Sequence, residues 1–203
     1  AGLKIWNAGM DHLKGRTVGL DGVVEQQDNY RRSGFELAGR NIRFTGVPEL
    51  TGLVPGNARI HSIGPAYLEN ALKYERAFFP ADRSKFMSIW FSDASGTRKS
   101  ELALEGGAIV GVGTIRACRS GYKIGPLFAD DAQTAATLFR SLCADISNGS
   151  QVSLDAPETN ANAINLAKGC GLVPVFETAR MYKGTPPQLP HARTFGITTF
   201  ELG

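Results

Sequence analysis

The sequence predicts an α/β (α+β) protein, a mixed sheet flanked by helices and laid out as two tandem units. One observation is a motif that occurs twice, as RTVGLDGVVEQQDNYRRSGFELAGRNIRFTG over residues 16 to 46 and as QVSLDAPETNANAINLAKGCGLVPVFETARMYKG over residues 151 to 184. The copies align at Leu20-Asp21 with Leu154-Asp155, at Gly34-Phe35 with Gly171-Leu172, and at Arg43-Phe44-Thr45-Gly46 with Met181-Tyr182-Lys183-Gly184. A second observation is the order inside each copy. A short apolar run ends at Asp, a helix-spaced segment is closed by Gly, and an alternating stretch follows, hence strand, helix, strand. The third is composition: of 203 residues, 42% are hydrophobic and 20% charged, enough apolar material for globular domains with real cores.

Taken in order, GLKIWNAGMDHL places Leu3, Ile5, Trp6, Met10 and Leu13 near one face of a helix, and the first copy of the motif follows it. VPELTGLVPGN, residues 47–57, has two prolines, two glycines and little periodicity, so it reads as a linker. Beyond it come a strand over Arg59 to Ile63 and helices around Tyr67 to Phe79 and Ser84 to Phe91. A three-strand meander then runs from about Lys99 through Ala129. DDAQTAATLFRSLCADI is a second amphipathic helix, with Ala135, Leu138, Phe139, Leu142 and Ile146 on one face and Asp130 and Asp131 at its start, where acidic residues cap well. The second copy of the motif follows. The closing TFGITTFELG alternates as a strand able to bridge the units.

These boundaries define residues 1–46 as the C-terminal half of a first unit, 47–57 as the linker and 58–203 as a second, complete unit. Residues 1–46 are too few to bury their own apolar surface, so they are expected to pack against the complete unit. A homo-oligomer is the other arrangement that would cover them.

The balance of 22 basic and 19 acidic residues is spread through the chain, which argues against nucleic acid or an anionic membrane as partner. Cys118, Cys143 and Cys170 are odd in number and lack disulfide or zinc spacing, which fits a reducing cytoplasm. His12, His61 and His191 are widely separated and in no ligand motif, so no metal is expected. GGAIVGVGTIRACRSG offers glycines for a dinucleotide fingerprint, but they lie inside an alternating strand and no helix follows Gly113.

NYRRSGF, the Asp-ending strands, NANAINLAKGCGL and the closing FETARMYKG and TFGITTFELG together resemble the GNAT superfamily of acyl-CoA N-acyltransferases. The similarity covers essentially the whole chain through short motifs, and it suggests a tandem of such domains whose first member is truncated at its N-terminus. It implies acetyl transfer from acetyl-CoA to a primary amine of a small molecule or peptide, by direct attack. A non-catalytic ligand-binding or scaffolding module is the alternative, since one fold hosts many functions.

In the family, backbone N–H groups of a loop of form Gln/Arg-x-x-Gly-x-Gly/Ala, and the helix that follows it, hold the cofactor diphosphate. Ala1-Gly2-Leu3 matches the tail of that loop, which marks Gly2 and Leu3 as cofactor-binding. At the corresponding place in the second unit Asp130 and Asp131 would repel a diphosphate, so acetyl-CoA is expected to bind there poorly. The family's next helix carries Asn-x-x-Ala-x-x-x-Tyr ahead of Gly-Phe, the Asn near the pantetheine arm and the Tyr giving a proton to the departing thiolate. The first copy keeps Tyr30 but has Val23 and Gln26 at the other two places; the second keeps Asn160 and Ala163 but has Ala167 for the Tyr. Tyr30 is accordingly the candidate acid and Asn160 a candidate cofactor contact, with an ordinary tyrosine pKa near 10 suiting the former role. Asp21 and Asp155 would face their sites from the strand ends, Asp21 as candidate base, or would cap the following helices.

Overall fold

The computed structural model describes residues 2–92 and 96–201. Helix α1 (Gly2–His12) leads to strand β1 (Val18–Val23), and the short helix α2 (Gln27–Arg32) to strand β2 (Glu36–Gly46). After the linker come β3 (Arg59–Ser62), α3 (Pro65–Glu75), α4 (Ser84–Phe91) and the meander β4 (Arg98–Glu105), β5 (Ala108–Ala117) and β6 (Tyr122–Ala129). The second copy supplies α5 (Ala132–Leu142), β7 (Val152–Pro157), α6 (Ala161–Gly169) and β8 (Val173–Lys183), and β9 (Thr194–Gly196) closes the described chain. Gly34 and Gly171 end α2 and α6 with φ of 86° and 74°, a left-handed conformation that a side chain would resist, which is why each copy places glycine there.

Among the described residues one sheet holds all nine strands, in the order β1-β8-β2-β7-β6-β5-β4-β3, with β9 on β6. The two tandem units expected from the repeat therefore share one sheet. β2 lies between β7 and β8, and β8 between β1 and β2, so the last strand of each copy is seated among the strands of the other. The reason is physical: β1 and β2 alone would expose unpaired edges and an uncovered face, and insertion satisfies both.

The exchange has an internal two-fold. In the central antiparallel ladder Asn41 lies opposite Thr178, with Arg40 opposite Ala179 on one side and Ile42 opposite Glu177 on the other. The bulges that skip Ala38 in β2 and Val175 in β8 are symmetric about that point. Counted from Gly34 and Gly171, Arg43 is thus the counterpart of Arg180, not of Met181 as the RFTG/MYKG alignment has it. Gly46 and Gly184 can be matched only by opening a gap within the strands, and the ladder shows none between the glycines and the arginines. Across the flanking ladders Asp21 faces Arg180 and Asp155 faces Arg43, so each copy's aspartate meets the other copy's arginine.

The main core lies under α5 and α6, where Leu138, Phe139, Leu142, Leu154 and Phe195 are fully buried. On the other face α3 and α4 cover Met87, Phe91, Leu102 and Phe128. A smaller cluster of Phe35, Ala179 and Met181 is covered by Trp6, Met10 and Tyr30. The apolar face expected of α1 is only partly used: no residue of α1 is buried, and Leu3 and Ile5 are each 73% exposed. The linker is seated, with Leu50 and Leu53 against the main core, the Glu49 N–H donating to the Cys170 carbonyl and the Gly56 N–H to Thr137 Oγ1. Residues 202–203 of TFGITTFELG lie outside the described residues; of 194–201 only the first three are strand, yet Phe195 through Thr199 are all buried.

Candidate active site at the exchanged strands

Side chains alternate across a sheet, so Thr178, Arg180 and Tyr182 of β8 point away from the cluster that Ala179 and Met181 join. Asp21 of β1 and Asn41 of β2 accompany them on that face. Asp21, Asn41, Arg180 and Tyr182 border a cleft of about 1010 Å³ that is also lined by Phe78, Phe79, Phe128, Pro186, Pro187, Leu189, Phe200 and Glu201.

Asp21 neither caps a helix nor ends a strand. Its side chain is 3% exposed, and its carboxylate is forked by Arg180, Nε to Oδ1 at 3.2 Å and Nη2 to Oδ2 at 2.5 Å. Oδ1 also accepts from Asn41 Nδ2 at 2.8 Å and Thr178 Oγ1 at 3.2 Å. Burial pushes its pKa above the ordinary carboxylate value, and Arg180 pulls against that.

Asp155 repeats the fork with Arg43, Nε to Oδ1 at 2.7 Å and Nη2 to Oδ2 at 2.9 Å, and adds Lys123 Nζ on Oδ2. Here the surroundings are closed. The carboxylate is fully buried, and the ring of Phe200 lies 4.5 Å from the Arg43 guanidinium and 5.2 Å from Lys123 Nζ. Asp155 caps nothing either; the cap of α6 is Asn160.

β6 and β7 run parallel but pair only from Tyr122–Ile124 to Val152–Leu154, although both continue beyond. Such divergence leaves backbone groups to satisfy. The chain's own C-terminal segment fills the gap: β9 pairs with β6, the Ile197 N–H donates to the Asp155 carbonyl, and Thr198 accepts from Arg83. Asn160 holds this segment, donating from Nδ2 to the carbonyls of Ala192 and Thr194 and accepting at Oδ1 from the Asn162 and Ala163 N–H groups. Its amide has no hydrogen-bonding capacity left for a cofactor, which corrects the expectation for Asn160. At the start of α5, Asp131 accepts from the Thr134 N–H and Asp130 pairs with Arg193. The crevice between β6 and β7 is thus occupied by the chain's own residues 194–198, with Asp130 and Asp131 at its α5 end.

Tyr30 is on the opposite face from Asp21. It packs with Trp6 and Phe35 at ring separations of 5.6 and 6.3 Å and covers Gly22, where a methyl group would lie 2.7 Å from the ring. Gly22 directly follows Asp21, so Tyr30 and Asp21 flank one strand, β1, from its two faces, and β1 is an edge of the described sheet. Gly2 and Leu3 are exposed in the first turn of α1 and do not border the cleft. Ala1, the first residue of the Gly2–Leu3 motif, is outside the described residues. Arg180, Asn41 and Thr178 were not anticipated as site residues. The available signal was an arginine at the same distance from the helix-closing glycine in both copies.

The acetyltransferase (GNAT) domain family matches residues 71–196, more than half of the chain. The chain belongs to this GNAT family. Over 202 residues it is 30% identical to the holothin acyltransferase of Pseudoalteromonas sp. (strain SANK 73390), covering 100% of this chain and 67% of that protein. A solved Pyrococcus horikoshii structure bearing an acetyltransferase name shares the fold at a TM-score of 0.79 and 19% identity, over 100% of this chain and 66% of that one. A GCN5-related N-acetyltransferase from Sphaerobacter thermophilus does so at a TM-score of 0.55 and 15% identity, over 94% and 68%. The chain thus spans about two thirds of the length of these proteins. The GNAT match over residues 71–196 includes β6, β7 and the filled crevice between them.

Proposed function

We propose that the chain acts as an N-acyltransferase that moves an acetyl group from acetyl-CoA to a primary amine, with the cleft floored by Asp21 and Arg180 as the acceptor site. The observation that carries the reading is the asymmetry of the two-fold: the Asp155 side is filled by the C-terminal segment, while the equivalent Asp21 side is an open cleft on a strand edge. Similarity to the holothin acyltransferase supports acyl transfer as the reaction.

Acetyl-CoA, when bound, supplies the activated acyl thioester. β1 is the last strand on its side of the described sheet, and the backbone groups of its outer edge are suited to an extended, amide-bearing arm. Tyr30, the candidate acid, lies on the far face of that strand and outside the cleft, so the thiolate it would protonate has to lie at the β1 edge, and Asp21 borders the side from which the amine approaches. For residues 58–203 the filled crevice favours a scaffolding role, in which β8 supplies the floor of the first unit's cleft. The three free cysteines suit a cytoplasmic setting.

The test is to incubate the purified chain with acetyl-CoA and a panel of small primary amines and to measure acetylated amine by mass spectrometry. Acetylated product above the uncatalysed rate supports the reading; no product with any amine, together with no saturable acetyl-CoA binding, overturns it.

A further inference from the structure

The two carboxylates related by the internal two-fold hold the same arginine fork, Nε on Oδ1 and Nη2 on Oδ2, but differ in one contact. Oδ2 of Asp155 also accepts from the Lys123 ammonium, whereas Oδ2 of Asp21 has Arg180 as its one partner among the described residues. A carboxylate oxygen has two lone pairs, so Asp21 Oδ2 retains one acceptor site. Oδ1 of Asp21 has none to spare, since Asn41, Thr178 and Arg180 already converge on it.

We propose that Asp21 Oδ2 is the seat of the acceptor's ammonium group, taking a primary ammonium from the cleft as Asp155 Oδ2 takes Lys123 Nζ. The inference rests on the reading of the cleft as the acceptor site and names the chemistry recognised there. Arg180 and Asn41 fix the carboxylate, so it meets a ligand without reorganising. Tyr182, Phe79 and Phe200 line the same cleft, and Lys123 Nζ already lies over the Phe200 ring on the closed side. Aromatic rings attract cations in their own right. The ligand class is therefore a primary ammonium on a compact apolar body.

The experiment is a titration of the whole, isotopically labelled chain at neutral pH with benzylammonium, followed by amide chemical shifts, with benzyl alcohol as the uncharged probe of the same shape. Saturable shifts centred on Asp21, Gly22 and Arg180 are expected with benzylammonium and not with benzyl alcohol. In Asp21→Asn the affinity should fall about tenfold or more, the range for losing a charge-assisted contact. Equal shifts with the two probes, or unchanged affinity in Asp21→Asn, overturn the proposal. Should that variant not fold, the comparison of the two probes on the unaltered chain decides alone. Benzylammonium bound at Asp21 by a chain that neither binds nor consumes acetyl-CoA keeps the ammonium site and removes the acyltransferase reading. Acetyl transfer with an unchanged acceptor KM in Asp21→Asn does the reverse.

Discussion

Tyr30 shows how much one residue's meaning depends on what lies behind it. It covers Gly22 with an aromatic ring, a packing role in its own right, and at the same time borders the strand edge opposite Asp21. Tyr30→Phe keeps the ring and removes the proton, so it should lower kcat roughly 100-fold, as expected for a positioned acid, with KM for acetyl-CoA nearly unchanged. Steady-state kinetics showing an unaltered kcat would leave Tyr30 a packing residue only. The two aspartates should likewise separate on stability. Asp155→Asn leaves Arg43 and a nearly buried Lys123 without their carboxylate and should cost about 3–5 kcal/mol, whereas Asp21→Asn leaves Arg180 beside the open cleft and should cost less. Equal losses in urea unfolding would contradict the closed and open description of the two sites. The cysteines differ in the same way. Burial pushes the thiol of Cys143 up to about 12 and that of Cys170 up to about 11, while Cys118 is exposed. Iodoacetamide should therefore label Cys118 in the native chain and all three after denaturation, checked by peptide mass.

Among the elements, the C-terminal segment around β9 is the most consequential. As an alternating stretch it reads as a strand able to bridge the units, but its place is set by partners far away in sequence: β6, the carbonyl of Asp155, Arg83 and Asn160. Gly125 is the tightest of these contacts. A methyl group there would lie 2.5 Å from the Thr198 carbonyl oxygen and 2.6 Å from that of Ile197, both backbone atoms that cannot turn aside. Gly125→Ala should push the segment out of the crevice, lower stability by about 1–3 kcal/mol and speed hydrogen exchange at the Ile197 N–H. Unchanged protection at Ile197 would mean that the segment is not held against Gly125. Helix α1 teaches the opposite lesson. Its apolar spacing is real, yet only Trp6 and Met10 reach the Phe35 cluster, so periodicity locates a helix without saying how much of it is covered.

For the whole molecule the exchange of β2 and β8 couples the two copies of the motif into one cooperative sheet. Cutting the chain within residues 47–57 should leave the pieces associated on size exclusion, because β2 is hydrogen-bonded on both sides by strands from beyond the cut. Amide exchange in β2 should be as slow as in β7 and β8; fast exchange in β2 alone would show an independent half-unit. The same architecture predicts where acetyl-CoA does not go. Its addition should leave the amides at the start of α5 unperturbed, because Asp130 and Asp131 occupy that end and residues 194–198 fill the crevice beside it. Shifts centred on Ala132 to Thr134 would place the donor in the second unit and reverse the asymmetry on which the function rests.

The strands, helices and repeat were legible because they are local: apolar spacing, capping aspartates and the glycines at positions 34 and 171 act within a few residues of themselves. The meander, the boundaries of α4 and the start of α5 follow from such signals. The GNAT resemblance was legible for the same reason, as short motifs carried intact in the chain. Strand exchange was not, because whether β2 pairs with its own copy or the other's depends on long-range hydrogen bonds with no local signature. The Asp21–Arg180 fork, the closing of the Asp155 side and the full occupation of the Asn160 amide all follow from that pairing. The sequence by itself determined the elements, the repeat and the two aspartates within it. Only the tertiary structure decided which of the two aspartates faces an open cleft, since the same backbone that makes both forks runs through one of the crevices and not the other.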